Sequence, residues 1–251
     1  MSGLINVYNS EGYGLTAEVL NLFGLKLSIP SPSYDLITEK VDGRGGIVVT
    51  DKTLNPRQLS ARFFTKSGSY EDSLRLRDEL YRLFSDGEEI FVVESKNSGK
   101  QWRVHPEGWS PDRINPRTLE FEIPLLAPNG LSESVLPQKR VYSTPSFVYR
   151  NTGDVPIDMR KQDETEILFS GASNGLTIKN LTTGDTWIYN GSTTVNDVIL
   201  LKGVRSLKNN QSIFGQTNKR LISFTVGNNE FEISGVSGEF TLSISTRFYF
   251  L

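Results

Sequence analysis

The sequence predicts a mainly β protein of two domains. Short runs that alternate apolar and polar residues, bounded by Gly, Asn, Asp and Pro, recur along most of the 251 residues, and such runs are typical of antiparallel strands. Only the segment from Tyr70 to Phe84 has the period of an amphipathic helix. Between residues 131 and 146 lie Pro137, Pro145 and small polar residues without periodicity. This stretch indicates a linker or domain crossing between a domain of residues 1–136 and a domain of residues 137–251.

The helix has clear signals at both ends. Ser69 is a good N-cap, and Asp72 three residues later is a weaker form of the capping box. Gly87, at the end of Ser85-Asp86-Gly87, suits the left-handed position that terminates a helix. Residues at spacings of three and four form one apolar face, which we expect to cover a sheet; they are Leu76, Leu80, Leu83 and Phe84.

Five strands are predicted around this helix. A strand from Gly24 to Ile29 comes first, before Pro30 and Pro32. A glycine-rich turn, Val41-Asp42-Gly43-Arg44-Gly45-Gly46, then leads into a strand from Gln58 to Phe64. After the helix, a hairpin with a turn at Asn97-Ser98-Gly99 precedes a closing strand that ends at Ala127-Pro128-Asn129-Gly130. The hairpin strands are Glu89–Glu94 and Gln101–His105, and the closing strand is Thr118–Leu126.

The second half reads as an antiparallel sandwich or jelly roll, because many short strands are separated by turn residues. We expect turns at Asn174-Gly175, at Asn190-Gly191 and at Gly227-Asn228-Asn229, and no helix. The predicted strands are Ser146–Arg150, Glu166–Phe169, Leu176–Lys179, Thr186–Tyr189, Val198–Leu201, Leu221–Val226, Glu230–Ile233 and Glu239–Phe250.

Composition excludes several kinds of chemistry. There is no cysteine, which rules out disulfides and thiolate metal sites. The first 136 residues carry 15 Lys and Arg against 19 Asp and Glu, and the rest carry 12 against 10. Neither half has the basic excess of a nucleic-acid-binding protein. The N-terminus lacks a basic region followed by an apolar run, so we expect no signal peptide. No apolar stretch approaches the roughly 20 residues of a membrane-spanning helix.

No catalytic, cofactor or metal site is predicted. His105 is the single histidine and would have to serve any Ser-His-Asp triad, but no nucleophile elbow accompanies it. Glu120 and Glu122 share one face of a strand, and a solvated face explains them better than a glycosidase pair. A calcium site in the loop 151–166 stays open but unspecific; its ligands would be Asp154, Asp158, Asp163 or Glu164.

Two sets of residues are candidates for binding. Arg44 on its glycine turn reads first as part of a tight turn and second as an arginine that reaches a neighbouring subunit. Trp109, with Arg113, lies in a polar segment where the chain cannot easily bury a tryptophan, which favours a subunit interface. Trp187 and Tyr189 alternate on one strand face; they are interpreted as core residues, with a sugar-stacking platform as the alternative.

The order of turn, strand, single helix, hairpin and closing strand between Val41 and Gly130 resembles the N-terminal domain of distal tail proteins. These Dit-type proteins are baseplate hubs of long-tailed, non-contractile phages. The segment Phe147–Gly153 followed by Val155-Pro156 looks like the entry to their C-terminal domain. The resemblance covers most of the chain and rests on order and pattern, not on a catalytic motif.

The resemblance implies an N-terminal β-sandwich or split barrel with one α-helix, and a C-terminal antiparallel jelly-roll sandwich similar to galectins and carbohydrate-binding modules. It further implies a virion protein of the tail tip, assembled in the host cytoplasm as a homohexameric ring. The ring would contact the tail tube protein and the tail-tip hub protein, with a receptor-binding protein left open. DNA would only pass through it, and neither catalysis nor a membrane would be involved. The alternative is a free glycan-binding β-sandwich protein.

Overall fold

The computed structural model describes residues 4–18, 21–84, 87–162 and 164–251. The chain divides into two compact units, residues 1–133 with Leu251, and residues 134–250. Both units are built from antiparallel strands, so the predicted mainly β fold class is confirmed. None of the helices in the described ranges has the length and apolarity needed to cross a bilayer. The assignment of a ring-forming domain and a galectin-like domain to the two halves stays a prediction.

The first unit is a sheet with one long helix. Its strands and helices, in chain order, are β1 (Ile5–Asn9), α1 (Leu15–Glu18), β2 (Leu22–Ser28), β3 (Tyr34–Glu39), β4 (Val48–Leu54), β5 (Arg57–Lys66), α2 (Tyr70–Phe84), β6 (Ile90–Glu94), β7 (Lys100–Pro106), β8 (Asp112–Asn115) and β9 (Thr118–Ala127). A short strand, β10 (Ser132–Ser134), follows. The main sheet runs β1-β6-β7-β9-β5-β2, with β8 beside β9, while β3 and β4 form a separate two-stranded sheet.

The two ends of this sheet meet. The backbone N–H of Leu4 donates to the carbonyl of Gly24 at 2.8 Å. A Cβ at position 24 would lie 2.7 Å from the Cβ of Ile5, closer than real Cβ atoms approach. Glycine is therefore required for β1 and β2 to come together. This contact between the terminal strands of the path gives the barrel-like closure expected of a split barrel.

The helix α2 forms as predicted and closes the core of the first unit. The Ser69 hydroxyl accepts from the backbone N–H of Asp72 at 3.1 Å, which is the N-cap bond. Gly87 has a φ of 82°, as a helix terminator should, whereas Ser85 and Asp86 lie outside the described residues. On the inner face Leu80, Leu83 and Phe84 are buried, and Leu76 packs half-buried against them. The helix thus covers the inward-facing side chains of β5 and β9.

The second unit is a sheet dominated by two long strands. Its strands are β11 (Gln138–Tyr142), β12 (Ser146–Asn151), β13 (Ile157–Asp158), β14 (Glu166–Asn180), β15 (Thr186–Ile188), β16 (Ser192–Thr193), β17 (Val198–Lys202), β18 (Arg205–Lys208), β19 (Gln211–Ser212), β20 (Ser223–Phe224), β21 (Gly227–Thr246) and β22 (Tyr249–Phe250). The path is β11-β21-β14-β17-β18-β19; β12 also pairs with β21, and β15 and β16 pair with β14. The pair β13-β20 stands apart.

The structure changes three expectations for the second half. The predicted turn at Asn174-Gly175 is an irregularity inside β14, where Gly175 takes a φ of 67° and the register shifts. The residues 234–238, which the sequence predicts to separate two strands, lie inside β21, where Gly235 and Gly238 take φ values of 78° and 80°. The stretch 131–146 does contain the boundary between the two units, after residue 133, but it is not free of structure: it includes β11, each residue of which pairs with β21. In all three cases pairing with a distant strand overrides the local turn signal.

Replacing Leu80 by Ala should lower the free energy of unfolding of the first unit by about 2–5 kcal/mol. Leu80 is fully enclosed in the middle of the buried face of α2, and truncation leaves a cavity. Glu79→Ala, one residue earlier on the exposed face, is the matched control and should change stability by less than about 0.5 kcal/mol. Urea unfolding followed by circular dichroism measures both; similar small losses would contradict the assignment of the helix face.

A fragment of residues 134–251 should fold alone, whereas a fragment of residues 144–251 should be markedly less stable. The longer fragment keeps β11, whose five residues pair with β21, and keeps the Ser134 carbonyl that accepts from Arg247 Nη1 at 2.6 Å. Trp187 is the single tryptophan in both fragments, so its fluorescence reports unfolding. Equal stability of the two fragments, or no cooperative transition in the longer one, would show that β11 or the unit boundary is misjudged.

Candidate functional site

The hairpin of β3 and β4 in the first unit is exposed along nearly its whole length. We call residues 34–54 the hairpin arm. All six residues of β3 are exposed, and in β4 only the end residues Val48 and Leu54 are half-buried. Among the described residues, the two strands of the arm pair only with each other, from Tyr34 opposite Leu54 to Glu39 opposite Val48. An isolated two-stranded hairpin is marginally stable in water, which makes the arm a candidate interaction surface.

Apolar side chains lie on both faces of the arm. Leu36 and Ile37 are neighbours on β3 and therefore point to opposite faces, yet they are 55% and 58% exposed. Val49 on β4 is 51% exposed. Val41 and Ile47, in the turn, are also exposed. Exposed apolar residues grouped in one element mark an interaction surface, whereas single ones do not. The arm was not predicted, because its apolar residues follow no single face.

The tip of the arm is the predicted glycine-rich turn. Gly43 and Gly46 have φ values of 79° and 84°, and the backbone N–H of Arg44 donates to the Val41 carbonyl at 3.1 Å. The space around both glycines is open, so the turn geometry, not crowding, requires them. The tight-turn interpretation fits this geometry. Arg44 is exposed at the tip, and its role in a subunit contact stays a prediction.

At its root the arm is tied to the first unit through Asn55. The backbone N–H of Asn55 donates to the Ser33 carbonyl, and its side-chain amide donates to Asp35 Oδ1, both at 3.0 Å. Gly130 fits against the Asn55 carbonyl so closely that a Cβ there would lie 2.4 Å away. The arm therefore starts from a fixed point beside the end of β9.

Beside this root lies a buried arginine without an acceptor. Arg57 is 3% exposed, at the end of the inward-facing row of β5. Its Nε and Nη2 are enclosed, and neither has a hydrogen-bond partner among the described residues. The guanidinium lies over the Trp102 ring at 5.3 Å. Burial lowers the pKa of Arg57, and proximity to Tyr34 at the start of the arm partly opposes that shift. A buried cation without an acceptor is costly, which makes Arg57 a candidate contact residue that sequence patterns do not reveal.

The premise for Trp109 is wrong, because the chain does bury most of this side chain. The Trp109 ring stacks on Phe121 at 4.7 Å between ring centroids and contacts Tyr81 and Phe84 at 5.1 and 6.3 Å. Aromatic side chains of helix α2 and strand β9 surround the Trp109 ring, and the polar residues next to Trp109 in the sequence do not predict this packing. Packing thus explains where the ring lies, although its indole Nε1 is enclosed without a hydrogen-bond partner among the described residues. A role of Trp109 in a subunit interface stays a prediction.

Arg113 is exposed on β8 and holds that strand to the start of α2. Its Nη1 donates to the Ser73 hydroxyl at 3.0 Å, and the guanidinium lies 4.2 Å from the centre of the Tyr70 ring. Arg113 and Trp109 therefore both lie beside α2, whereas Arg44 lies at the tip of the arm. The structure does not bring the three predicted interface residues into one cluster of side-chain contacts.

Trp187 and Tyr189 are core residues of the second unit. They are 1% and 4% exposed, and the Trp187 indole N–H donates to the Ser206 hydroxyl at 3.3 Å. Gly191 lies directly against the Tyr189 ring, where a Cβ would come within 2.4 Å. The core interpretation fits this burial. Neither ring presents a face to solvent, so the alternative that assigned glycan stacking to these two residues is not supported.

The other chemical candidates are engaged in structural contacts. In the loop 151–166, Asp158 Oδ1 accepts from the backbone N–H of Arg160 at 2.9 Å, and Glu164 accepts from Arg247 Nε at 2.6 Å. Asp163 lies outside the described residues. Over the ranges that the structure describes, no group of three His, Cys, Asp or Glu could hold a metal ion. Glu120 forms an ion pair with Arg62 on the neighbouring strand.

Comparison with known proteins accounts for the first unit. Residues 14–127 match the family model described as a phage tail protein RIFT-related domain. This range includes the hairpin arm, helix α2 and the closing strand β9. The match covers somewhat less than half of the chain and lies within the first unit. No curated protein matches the chain.

Two solved structures share the fold over nearly the whole chain. The Dit protein (gp 19.1) of phage SPP1, described as a paradigm of the hub adsorption apparatus in phages that infect Gram-positive bacteria, aligns with a TM-score of 0.76 at 15% identity, covering 97% of this chain and 99% of that one. A chain of the phage p2 baseplate in its activated conformation aligns with a TM-score of 0.50 at 8% identity, covering 95% and 97%. The resemblance to distal tail proteins is thereby confirmed: the chain has the fold of the SPP1 Dit protein, and residues 14–127 match the model of a phage tail domain.

Replacing Arg57 by Met should leave the isolated protein at least as stable as the wild type. Methionine fills a similar volume, keeps a contact with the Trp102 ring and removes an unpaired buried charge. Leu59→Ala, on the same inward face of β5 and 1% exposed, should instead cost about 2–5 kcal/mol. Equilibrium unfolding in urea compares the two variants. A loss above about 1 kcal/mol for Arg57→Met would mean that the guanidinium has an acceptor within the chain.

Proposed function

We propose that this protein is a structural component of a phage tail baseplate, where it forms a hexameric ring that connects the tail tube to the tip and host-adhesion proteins. The observation that carries the proposal is the hairpin arm, which exposes apolar residues on both faces inside a domain that matches a phage tail family. The fold shared with the SPP1 Dit protein supports the same role.

The arm suits a closed ring better than a two-fold dimer. In a ring, each subunit offers one surface to the neighbour on one side and a different surface to the neighbour on the other side. The arm is one such surface, and the side of the neighbouring subunit against which it packs is the other. Burying Leu36 and Ile37 together, on opposite faces, requires a groove or two neighbouring elements. A flat self-complementary contact would cover only one face.

Arg57 gives this contact a polar element. An acceptor from a neighbouring subunit, most simply a carboxylate, would satisfy the guanidinium at the arm root. The arm and its turn carry four carboxylates, Asp35, Glu39, Asp42 and Asp51, so a neighbouring arm is a source of such an acceptor. We propose that Arg44 at the tip contributes to the same subunit contact.

The proposed partners follow from a ring at the tail tip: the tail tube protein on one side and the tail-tip hub protein on the other, with a receptor-binding protein left open. DNA would pass through the bore, and the acidic balance of the first 136 residues would limit its adhesion. The proposed role is assembly, with no catalysis. The tail-tip location makes the protein a component of the virion.

The arm is tested by Ile37→Asp, which should abolish ring formation without lowering the stability of the subunit. Ile37 is 58% exposed, so the isolated chain loses no buried contact, whereas the assembled ring would have to bury a charge. Val204→Asp in the second unit is the matched control, since Val204 is also 58% exposed. Native mass spectrometry of each protein, alone and mixed with the tail tube protein, measures the assembly.

Six copies per ring for the wild type and for Val204→Asp, and monomers for Ile37→Asp, are the expected results. Normal rings from Ile37→Asp would show that the arm is not the subunit contact. A cryo-electron microscopy map of the tail tip with three or twelve copies of this chain around the axis would overturn the hexamer itself.

A further inference from the structure

The second unit contains a groove that the proposed ring does not use. It is an open depression of about 760 Å³, a volume within the range of small-molecule sites. The groove lies where β14 and β21, the two long strands, separate from regular pairing. Its polar lining consists of four hydroxyl side chains and one carboxylate, namely Ser143, Ser170, Ser237, Thr241 and Glu239.

A bulge in β21 shapes the groove. Gly171 of β14 pairs with Phe240, but the next residue, Ala172, pairs with Ser237. Gly238 and Glu239 are therefore extra residues on β21, and a bulge of this kind redirects side chains out of the regular sheet. Gly238 has a φ of 80° and open space where a Cβ would be. The floor thus contains backbone that a ligand can approach closely.

Buried hydrogen bonds hold the backbone of β14 in place beside the groove. The Thr193 hydroxyl bonds to the Gly171 carbonyl at 2.7 Å and lies 2.7 Å from the Ser173 hydroxyl, and both side chains are buried. These contacts hold β14 in place next to the bulge. The groove is therefore present in the free protein and does not require a ligand to form it.

The polar side chains of the groove remain available to a ligand. Within the part of the chain that the structure describes, none of the five makes a side-chain hydrogen bond or ion pair. Each hydroxyl can donate and accept, and the Glu239 carboxylate can accept two hydrogen bonds from adjacent hydroxyls. Val195, which is 69% exposed, adds an apolar wall. A molecule with several neighbouring hydroxyls and C–H faces matches this set.

The charge of the groove narrows the ligand class. Glu239 is the single charged residue of the lining, and neither lysine nor arginine belongs to it. A phosphate-rich polymer would meet a carboxylate without any compensating cation, which disfavours it. We propose that this groove binds a neutral saccharide unit, and that Glu239 accepts hydrogen bonds from two of its hydroxyls. Its source as a host cell-wall glycan rests on the proposed tail-tip function, whereas the binding chemistry does not.

The test is binding of defined sugars to the purified full chain, followed by amide chemical shifts in NMR. The probes are neutral trisaccharides of glucose, galactose, rhamnose and N-acetylglucosamine at millimolar concentration, with poly(glycerol phosphate) as the anionic counterpart. At least one neutral sugar should shift the amides of Gly171 and Gly238. Glu239→Ala should weaken that binding about tenfold or more, because the carboxylate makes charge-assisted hydrogen bonds.

Two further variants distinguish the loss of a binding site from the loss of the fold. Glu232→Ala removes an exposed carboxylate from the same strand outside the groove and should leave the affinity unchanged. Ser237→Trp should block the groove in a protein with an unchanged unfolding midpoint. The proposal is overturned if no neutral sugar shifts the groove amides, if poly(glycerol phosphate) binds more tightly, or if Glu239→Ala and Ser237→Trp bind normally. Ring formation is measured separately, so a failed ring and an empty groove are distinct results.

Discussion

The first unit depends on an aromatic cluster centred on Phe121. Its ring stacks on Phe63 and on Trp109, and Phe63 contacts Phe84 of the helix. The cluster therefore joins β5, β9, α2 and the segment before β8. Because β5 and β9 pair over ten residues, from Arg57 opposite Ala127 to Lys66 opposite Thr118, fixing one end of this pair also fixes the other. The arm root lies at that other end, so its position is set by packing far from it.

Whether an element of this fold can be predicted from the sequence depends on whether it is stabilised by its own residues or by pairing with distant ones. Helix α2 and strand β9 carry their own apolar period and cap, and both were predicted from residues alone. In β14, by contrast, Asn174-Gly175 signals a turn, and pairing with β21 on one side and with β15 and β16 on the other keeps the strand continuous. Long-range pairing of this kind cannot be inferred from a single sequence. The same reason explains β11, a polar strand that exists because one edge of β21 is free to accept it.

The candidate residues that the sequence indicates differ from those that the structure indicates. Trp109, Trp187 and Tyr189 attract attention in the sequence because aromatic residues are rare and versatile, yet each is placed by packing. The residues that the structure singles out are ordinary in sequence: Ile37, Arg57 and Glu239. What distinguishes them is a mismatch between the side chain and its surroundings. Ile37 is an apolar side chain in solvent, Arg57 is a charged side chain in the interior, and Glu239 is a carboxylate in a groove without a partner among the described residues. Such mismatches exist only in three dimensions.

Two of these mismatches occur next to each other and have one remedy. The arm exposes apolar surface that water disfavours, and Arg57 beside its root withholds donors from water without giving them an acceptor. A chain selected for stability as a monomer would lose both, since a polar residue at position 37 and an apolar residue at position 57 each improve the isolated fold. In the proposed ring a neighbouring subunit would relieve both at once, by covering the arm and supplying the acceptor. On that proposal, the residues at positions 37 and 57 are selected for the assembled ring and not for the stability of the isolated chain.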